Sequence, residues 1–486
     1  MASSKIPFVG RETQLKELRT VLYSQRPEFI VVYGRRRVGK TFLIREAVNN
    51  EFTFYFTASD NISKSQQLAN FSTELSRQFK KEESWSFKTW FEAFQKLGDL
   101  LDSLPKKENK IIFLDEIPWA DTPKSVFLPA LENFWNTRCA FHNDIKLVVC
   151  GSATSWILNK IIGNRGGLYG RITHAFRVEP FNLYESSLYF KTYCYSFTHN
   201  DIAEIYMVMG GIPYYFSLIK KGDSVAQNID RLFFSTEAPL AKEFQYLYAS
   251  IYKRPTVYIE VVKKLASVGK GMTRRELIES LGITGNGAFS NVLRELEECG
   301  FIRRYLPYEI SVRKKTNKNS RNDLYQLVDL YSLFYLKFIQ EHNYFNSNFW
   351  IDNYRTSKLA VWRGLSFEKL CLWHTAQIKE ALGISGVSTR VCSWVGSFDK
   401  EKAQIDLIIE RQDGILNICE MKFSTGQYVI TKKYFMEFEN KVRIFQEATK
   451  TRKNLVVTFI TNNGIKFNSY ANLAQKQIEL PQLFKF

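Results

Sequence analysis

The chain has 486 residues, 45% hydrophobic and 24% charged, with a net charge of +18. That length suits two to four domains with ample core material; no stretch reaches the roughly 18 apolar residues of a membrane span, and the opening MASSKIPFVGRE lacks a signal-peptide layout, so a cytoplasmic protein is expected. The cationic excess points to polyanionic partners, DNA first among them, and seven cysteines with no CxxC pair read as buried thiols rather than zinc ligands.

Residues 1–180 alternate apolar runs with amphipathic stretches. FIVVY (29–33), FTFYFTA (52–58), IIFLDE (111–116), KLVVCGS (146–152) and HAFRVEP (174–180) are the expected strands. Short apolar strands separated by helices predict a parallel sheet covered on both faces. Between the first strand and the helix FLIREAV lies Gly34-Arg35-Arg36-Arg37-Val38-Gly39-Lys40-Thr41. It fits G-x-x-x-x-G-K-[ST], and strand before and helix after are the context that motif needs. Its glycines let backbone N–H groups curl around phosphate oxygens at a helix N-terminus. Lys40 is expected on the β- and γ-phosphates of ATP, Thr41 on Mg²⁺, and Phe42 opens the helix beside them.

The strand IIFLDE ends in the partner motif. Asp115 is placed to hold magnesium and Glu116 to polarise the attacking water. Ser152, at the tip of the next strand, reads either as a γ-phosphate sensor or as a helix-capping serine. Arg171, in GGLYGRITH, is a candidate charge-stabilising arginine, acting in cis or across subunits of a homo-oligomer, or else a surface residue.

FVGRE (8–12), GRRRVGKT, LDEIPWAD (114–121), GSATSW (151–156), LYGR (168–171) and GGIPYY (210–215) occur in order. Together they resemble the archaeal-type ATPases, AAA+-like proteins close to the signal-transduction ATPases with numerous domains. The resemblance covers roughly residues 5–250. It implies that Val9 and Gly10 lie against the adenine, and that a winged helix and a restriction-endonuclease-like domain follow the core.

Residues 181–250 read as helices only, broken at GGIP (210–213), which suits the small helical lid of such a core. From Pro255 three helices are expected, with Thr273 an N-cap and Gly282 past the second helix. FIRRYL and DLYQLVD then read as strands around a basic loop. Residues 251–328 thus predict a winged helix-turn-helix. Residues 303–321 carry seven basic groups and one acidic. Lys314, Lys315, Lys318 and Arg321 are candidates for DNA phosphates and Asn286, Ser290 and Asn291 for base edges. An interdomain spacer is the competing reading. An aromatic helical connector (329–360) leads to the last domain, 361–486.

In that domain AQIDLIIER places Asp406 in an apolar strand, Asp413-Gly414 makes a turn, and ILNICEMKF carries Glu420 and Lys422 on one strand face. D-x13-E-x-K resembles the PD-(D/E)xK nuclease signature, without its usual proline before the first Asp. Asp406 and Glu420 would hold Mg²⁺ beside a phosphodiester, with Glu368 in the preceding helix as a further acidic ligand. Lys422 would orient water and stabilise developing charge. The competing reading is a tail that binds nucleic acid or a partner without cutting. The expected fold class is therefore α/β: a P-loop parallel sheet with helical lid, a winged helix, and an α/β nuclease-like domain.

Overall fold

The computed structural model describes residues 7–105, 109–163, 166–252, 254–269, 271–308, 323–340 and 347–485. They form two compact units, 1–180 with 250–253, and 181–249 with 254–486.

In the first unit α1 (Glu12–Leu22) precedes β1 (Glu28–Tyr33), α2 (Lys40–Ala47), β2 (Phe54–Thr57), α3 (Lys64–Gln78), α4 (Trp90–Asp102), β3 (Lys110–Asp115), α5 (Phe127–Thr137), β4 (Ile145–Gly151) and β5 (His174–Arg177). The strands run parallel in the order β2–β3–β4–β1–β5. β3 and β4 are buried along their whole length, as strands covered on both faces must be. Val148, Val149 and their apolar neighbours fill that demand. An aromatic layer of Phe71, Trp90, Phe94, Phe127 and Phe134 covers one face of the sheet. Each such side chain contributes roughly 1.5–3 kcal/mol by leaving water. α3 starts where Ser63 and Gln66 close a reciprocal capping box.

The second unit begins with α6 (Leu183–Thr192), α7 (His199–Met209) and α8 (Val225–Phe233), each opened by a polar cap at Asn182, Thr198 and Ser224. Gly210 ends α7 at φ 64°, and at Gly211 a Cβ would lie 1.8 Å from the Phe181 carbonyl oxygen, so only glycine fits the GGIP break. Next come α9 (Pro255–Val268), β6 (Met272–Thr273), α10 (Arg274–Leu281), α11 (Gly287–Glu298), β7 (Ile302–Tyr305) and β8 (Leu324–Leu327). The strands make an antiparallel sheet in the order β6–β8–β7. Thr273 caps α10 with Glu276, and Gly282 follows at φ 62°, as expected from the sequence. Lys314, Lys315, Lys318 and Arg321 lie outside the described residues.

The boundary expected between 360 and 361 falls inside a helix, α12 (Ser357–Trp373). The reason is a buried network. Arg363 of α12 reaches Glu204 of α7 at 2.8 Å, and Tyr354 and Trp350 donate to the same carboxylate. Removing one partner from such a buried ion pair costs about 3–5 kcal/mol. That network ties the segment expected to be the small helical lid to the elements that follow it.

The chain ends with β9 (Thr389–Phe398), β10 (Glu401–Arg411), β11 (Ile415–Lys422), α13 (Lys432–Thr449), β12 (Asn454–Thr461) and β13 (Lys476–Glu479). The sheet order is β13–β12–β11–β10–β9. β9, β10 and β11 are antiparallel and β11, β12 and β13 parallel. α13 crosses over between β11 and β12, as a parallel connection requires. The β9–β10 register slips between Ile405 and Ile408, around Asp406. Such irregularities re-aim side chains.

Candidate nucleotide site and C-terminal carboxylate site

β1 delivers the chain into the phosphate loop. Gly34 has φ 147°, and a Cβ there would sit 2.1 Å from the Val178 carbonyl oxygen. Gly39 caps α2 at φ 92°. Arg37 takes the same left-handed region at φ 69°, so three residues bend the loop toward its own amides. Arg35 and Val38 are buried while Arg36 and Arg37 are half-buried. Phe42 is exposed and stacks on Phe8 at 5.8 Å.

Strand order then assembles the rest. β4 lies between β1 and β3, so its tip stands between the loop and the acidic pair. The buried Lys40 ammonium donates to Ser152 Oγ at 2.9 Å and to the Arg35 carbonyl at 3.0 Å. Ser152 donates in turn to Glu116 at 2.5 Å, and its backbone N–H adds 2.9 Å to the same carboxylate. The hydroxyl is thus spent on the site, and the short helix beyond it has no side-chain cap; the capping alternative falls away. Thr41 Oγ1 donates to Asp115 Oδ2 at 2.9 Å. Burial, and then the neighbouring Glu116 charge, raise the Asp115 carboxyl above its usual range. A carboxylate held at that expense beside a hydroxyl is a pair of hard oxygen donors that fits Mg²⁺.

Arg11 carries a function the sequence reading passed over. It is buried, and its Nη2 donates to the Val38 and Glu179 carbonyls, both at 2.8 Å. It pins FVGRE to the phosphate loop, with Val9 buried and Gly10 at φ 68°. An arginine directly after a glycine at a strained helix start was the available signal. Arg171, by contrast, is exposed in the turn before β5. Among the described residues no hydrogen bond or ion pair joins it to the loop.

In the second unit β10 and β11 bring two of the expected acidic residues, Asp406 and Glu420, onto neighbouring strands. Leu407 pairs with Cys419, so one step along Asp406 faces the Glu420 position. Lys422 and Glu420 share a face, Nζ to Oε1 2.8 Å. Asp406 accepts from Gln404 at 2.6 Å. Burial, then the Asp406 charge, push the Glu368 carboxyl up to about 7, with Glu420 adding to the effect. Beside it burial pulls the Lys369 ammonium down to about 8, and that group donates to the Gly269 carbonyl at the end of α9.

The expected three-ligand metal set is not assembled. Among the described residues no group of three His, Cys, Asp or Glu side chains is arranged to hold an ion. The reason lies on α13. Tyr434 donates to Glu420 Oε1 at 2.7 Å and Lys441 to Oε2 at 3.2 Å. Burial alone would raise the Glu420 carboxyl, but Lys441 and Lys422 hold it below its usual range. Glu368 and Asp406 keep the donor chemistry and mutual repulsion that suit a divalent cation; Glu420 is turned away to its lysines. A cleft of about 1110 Å³ opens beside them, lined by Glu368, Asp406, Lys263, Lys337, Lys402 and Lys441.

Gln427 and Lys433, which follow Lys422 in sequence and could touch phosphate, are more peripheral. Gln427 is exposed, and Lys433 pairs at 3.9 Å with Glu437. Asn286 spends its side chain capping α11, and Ser290 receives Arg274. Six cysteines are buried and Cys194 is exposed, all as thiols. No helix among the described residues is long and apolar enough to cross a membrane.

Residues 8–219 match the family model of an ATPase domain predominantly from Archaea. An uncharacterized protein of Methanocaldococcus jannaschii is 28% identical over 336 residues, 68% of this chain and 69% of that protein. An uncharacterized ATP-binding protein of the same organism is 39% identical over 46 residues, 10% of this chain and 78% of its own length. The Walker-type ATPase of Pyrococcus abyssi superposes with a TM-score of 0.48 at 17% identity, over 68% of this chain and 96% of that one. The ORC2 protein of Aeropyrum pernix gives 0.38 at 14%, over 69% and 95%. With the phosphate loop and its acidic pair in place, residues 8–219 are an ATPase domain of the archaeal type.

Proposed function

We propose that the chain is an ATP-driven switch acting on DNA, in which an AAA+-type core binds and hydrolyses ATP and a winged helix couples it to a nuclease-like C-terminal domain. The observation that carries the ATPase part is the network Lys40–Ser152–Glu116 beside Thr41–Asp115. The loop amides of residues 34–39 and the start of α2 cradle the triphosphate, and Lys40 takes the β- and γ-phosphates. Val9 and Gly10 lie against the base. Glu116 holds the attacking water and accepts its proton. Thr41 and Asp115 would hold Mg²⁺, which would supply charge neutralisation on the phosphates. Arg171 supplies a further positive charge, in cis or from a neighbouring subunit.

For the tail, support comes from Asp406 opposite the Glu420–Lys422 face and from Glu368 in the same field. In this reading Glu368 and Asp406 would hold Mg²⁺, and Lys422, paired with Glu420, would orient the hydrolytic water. The lysines of the cleft and the basic segment 303–321 take DNA phosphates. A non-cleaving switch is the second reading, favoured by the donors that occupy both Glu420 oxygens.

The test is cleavage of linear, supercoiled and single-stranded DNA with Mg²⁺, with and without ATP. Cleavage lost in both Glu420→Ala and Lys422→Ala supports the nuclease. Cleavage equal in wild type and both variants removes it. ATP-dependent binding without cleavage selects the second reading.

A further inference from the structure

The cleft beside Glu368 and Asp406 holds charges of both signs that are not paired with each other. Its volume, about 1110 Å³, exceeds the roughly 300–1,000 Å³ of small-molecule sites. Lys337 and Lys402 on its walls are exposed, and among the described residues neither is in an ion pair. Lys263 of α9 pairs at 3.3 Å with Glu260 of its own helix. The carboxylates are equally unspent. Among the described residues Glu368 accepts no hydrogen bond, and Asp406 accepts one, from Gln404 to its Oδ1. The lining also carries apolar side chains. Val361 and Leu365 lie one turn apart on α12 and Val268 ends α9, with Val361 74% and Val268 41% exposed.

We propose that this cleft is a groove for an unpaired DNA strand, with backbone phosphates on Lys263, Lys337 and Lys402 and exocyclic amino groups of the bases donating to Glu368 and Asp406. This rests on the reading of the tail as a DNA-binding domain and names the form of DNA it takes, whether or not the tail cleaves. A site built only for a polyanion gains nothing from carboxylates, which repel phosphate. A site built only for a cation gains nothing from three lysines. A ligand that answers both must carry anions, N–H donors and flat apolar surface together. An unpaired strand does so. Its charge runs along the backbone, amino groups project from cytosine, adenine and guanine, and its ring faces are free to leave water. In a duplex those faces are stacked on one another, and Val361 and Leu365 would have nothing to cover. Thymine offers an acceptor oxygen and a methyl group where cytosine and adenine offer an amino group, so its oxygen would meet carboxylate oxygens. The groove therefore selects against oligothymidine, which a platform that only stacks bases would not do.

The experiment is fluorescence anisotropy of the full chain with labelled oligo-dC, oligo-dA and oligo-dT of equal length. It is run in EDTA at pH 8, where the Glu368 carboxyl, pushed up to about 7 by burial and the Asp406 charge, is ionised. Wild type is expected to bind dC and dA roughly tenfold tighter than dT. Asp406→Asn, which offers thymine an N–H donor, should narrow that gap to within about threefold. Lys402→Gln should weaken all three strands alike and lower the salt slope by about 0.7. Val361→Asp, at an exposed position where the fold tolerates a charge, should also weaken all three. Wild type that binds dT as tightly as dC, or a preference that survives in both Asp406→Asn and Glu368→Gln, overturns the proposal. So does single-strand affinity unchanged in both Lys402→Gln and Val361→Asp, or displacement of dC by polyglutamate as readily as by unlabelled dC. The nuclease reading fails separately, by absence of cleavage with Mg²⁺; cleavage by a chain that binds dT and dC alike leaves that reading standing and removes the groove.

Discussion

The two sites solve the same problem, concentrating charge in a fold, in opposite ways. At the nucleotide site the charged groups are spaced by a rigid parallel sheet. Lys40 and Glu116 are kept apart by Ser152, and Asp115 leans on a neutral hydroxyl. At the C-terminal site the charges quench each other directly, with Glu420 held by two lysines and a tyrosine. A neutral spacer leaves both ions available to a ligand. A direct ion pair must be broken before either can act. The first site is poised, and the second is closed.

Breaking that comparison at its strong end gives the largest effects. Glu116→Gln is expected to keep ATP binding and lower turnover by roughly 10²–10⁴-fold, the range for losing a general base. Phosphate release and nucleotide titration on one preparation check it. Turnover within threefold of wild type would show that the water is held elsewhere. Lys40→Ala is expected to cost roughly 10²–10³-fold in turnover, as for removal of one preorganised electrostatic donor, with weakened ATP binding as well. Unchanged hydrolysis there contradicts the roles given to the loop.

The nucleotide site was the more legible in sequence, and the reason is locality. Gly34 to Thr41 are contiguous, and Asp115 and Glu116 end one apolar strand, so each motif carries its own context. What Ser152 does depends on β4 lying between β1 and β3, a fact of strand order. Arg11 acts on Val38 and Glu179, 27 and 168 residues away. At the other site strand alternation was enough to put Glu420 with Lys422. It was silent on Tyr434 and Lys441, which arrive on a helix 14 and 21 residues later. The expected metal triad failed there because pattern reading counts ligands and does not see their competitors.

The closed site also depends on how α12 is anchored, and His374 at its end sharpens this. The ring is fully buried, accepts the Leu183 N–H at 2.9 Å and faces the Leu370 carbonyl at 2.7 Å. Burial depresses its pKa from 6.5 to about 4. The unfolded chain therefore takes up a proton first as pH falls. Stability is full above about 6.5 and is lost progressively down to about 4, by on the order of 3 kcal/mol. Denaturant titration at pH 7 and pH 5 should show the loss in wild type and a flatter profile in His374→Gln, which starts lower. Equal slopes in both would free His374 of this role.

The smallest effect tests the spacer itself. Ser152→Ala removes the hydroxyl that accepts from Lys40 and donates to Glu116 but leaves the backbone N–H on the Glu116 carboxylate. Two hydrogen bonds of about 0.5–1.5 kcal/mol each are lost. Lys40 and Glu116 then have no neutral group between them, and they can approach each other as Lys441 and Glu420 do. Turnover is expected to fall about tenfold, in line with one such bond's worth of positioning, while ATP affinity stays within a few-fold. Ser152→Thr restores the hydroxyl and should recover most of the rate. If Ser152→Ala turns over as fast as wild type, neutral spacing is not what keeps this site poised, and the contrast between the two sites must come from the phosphate loop alone.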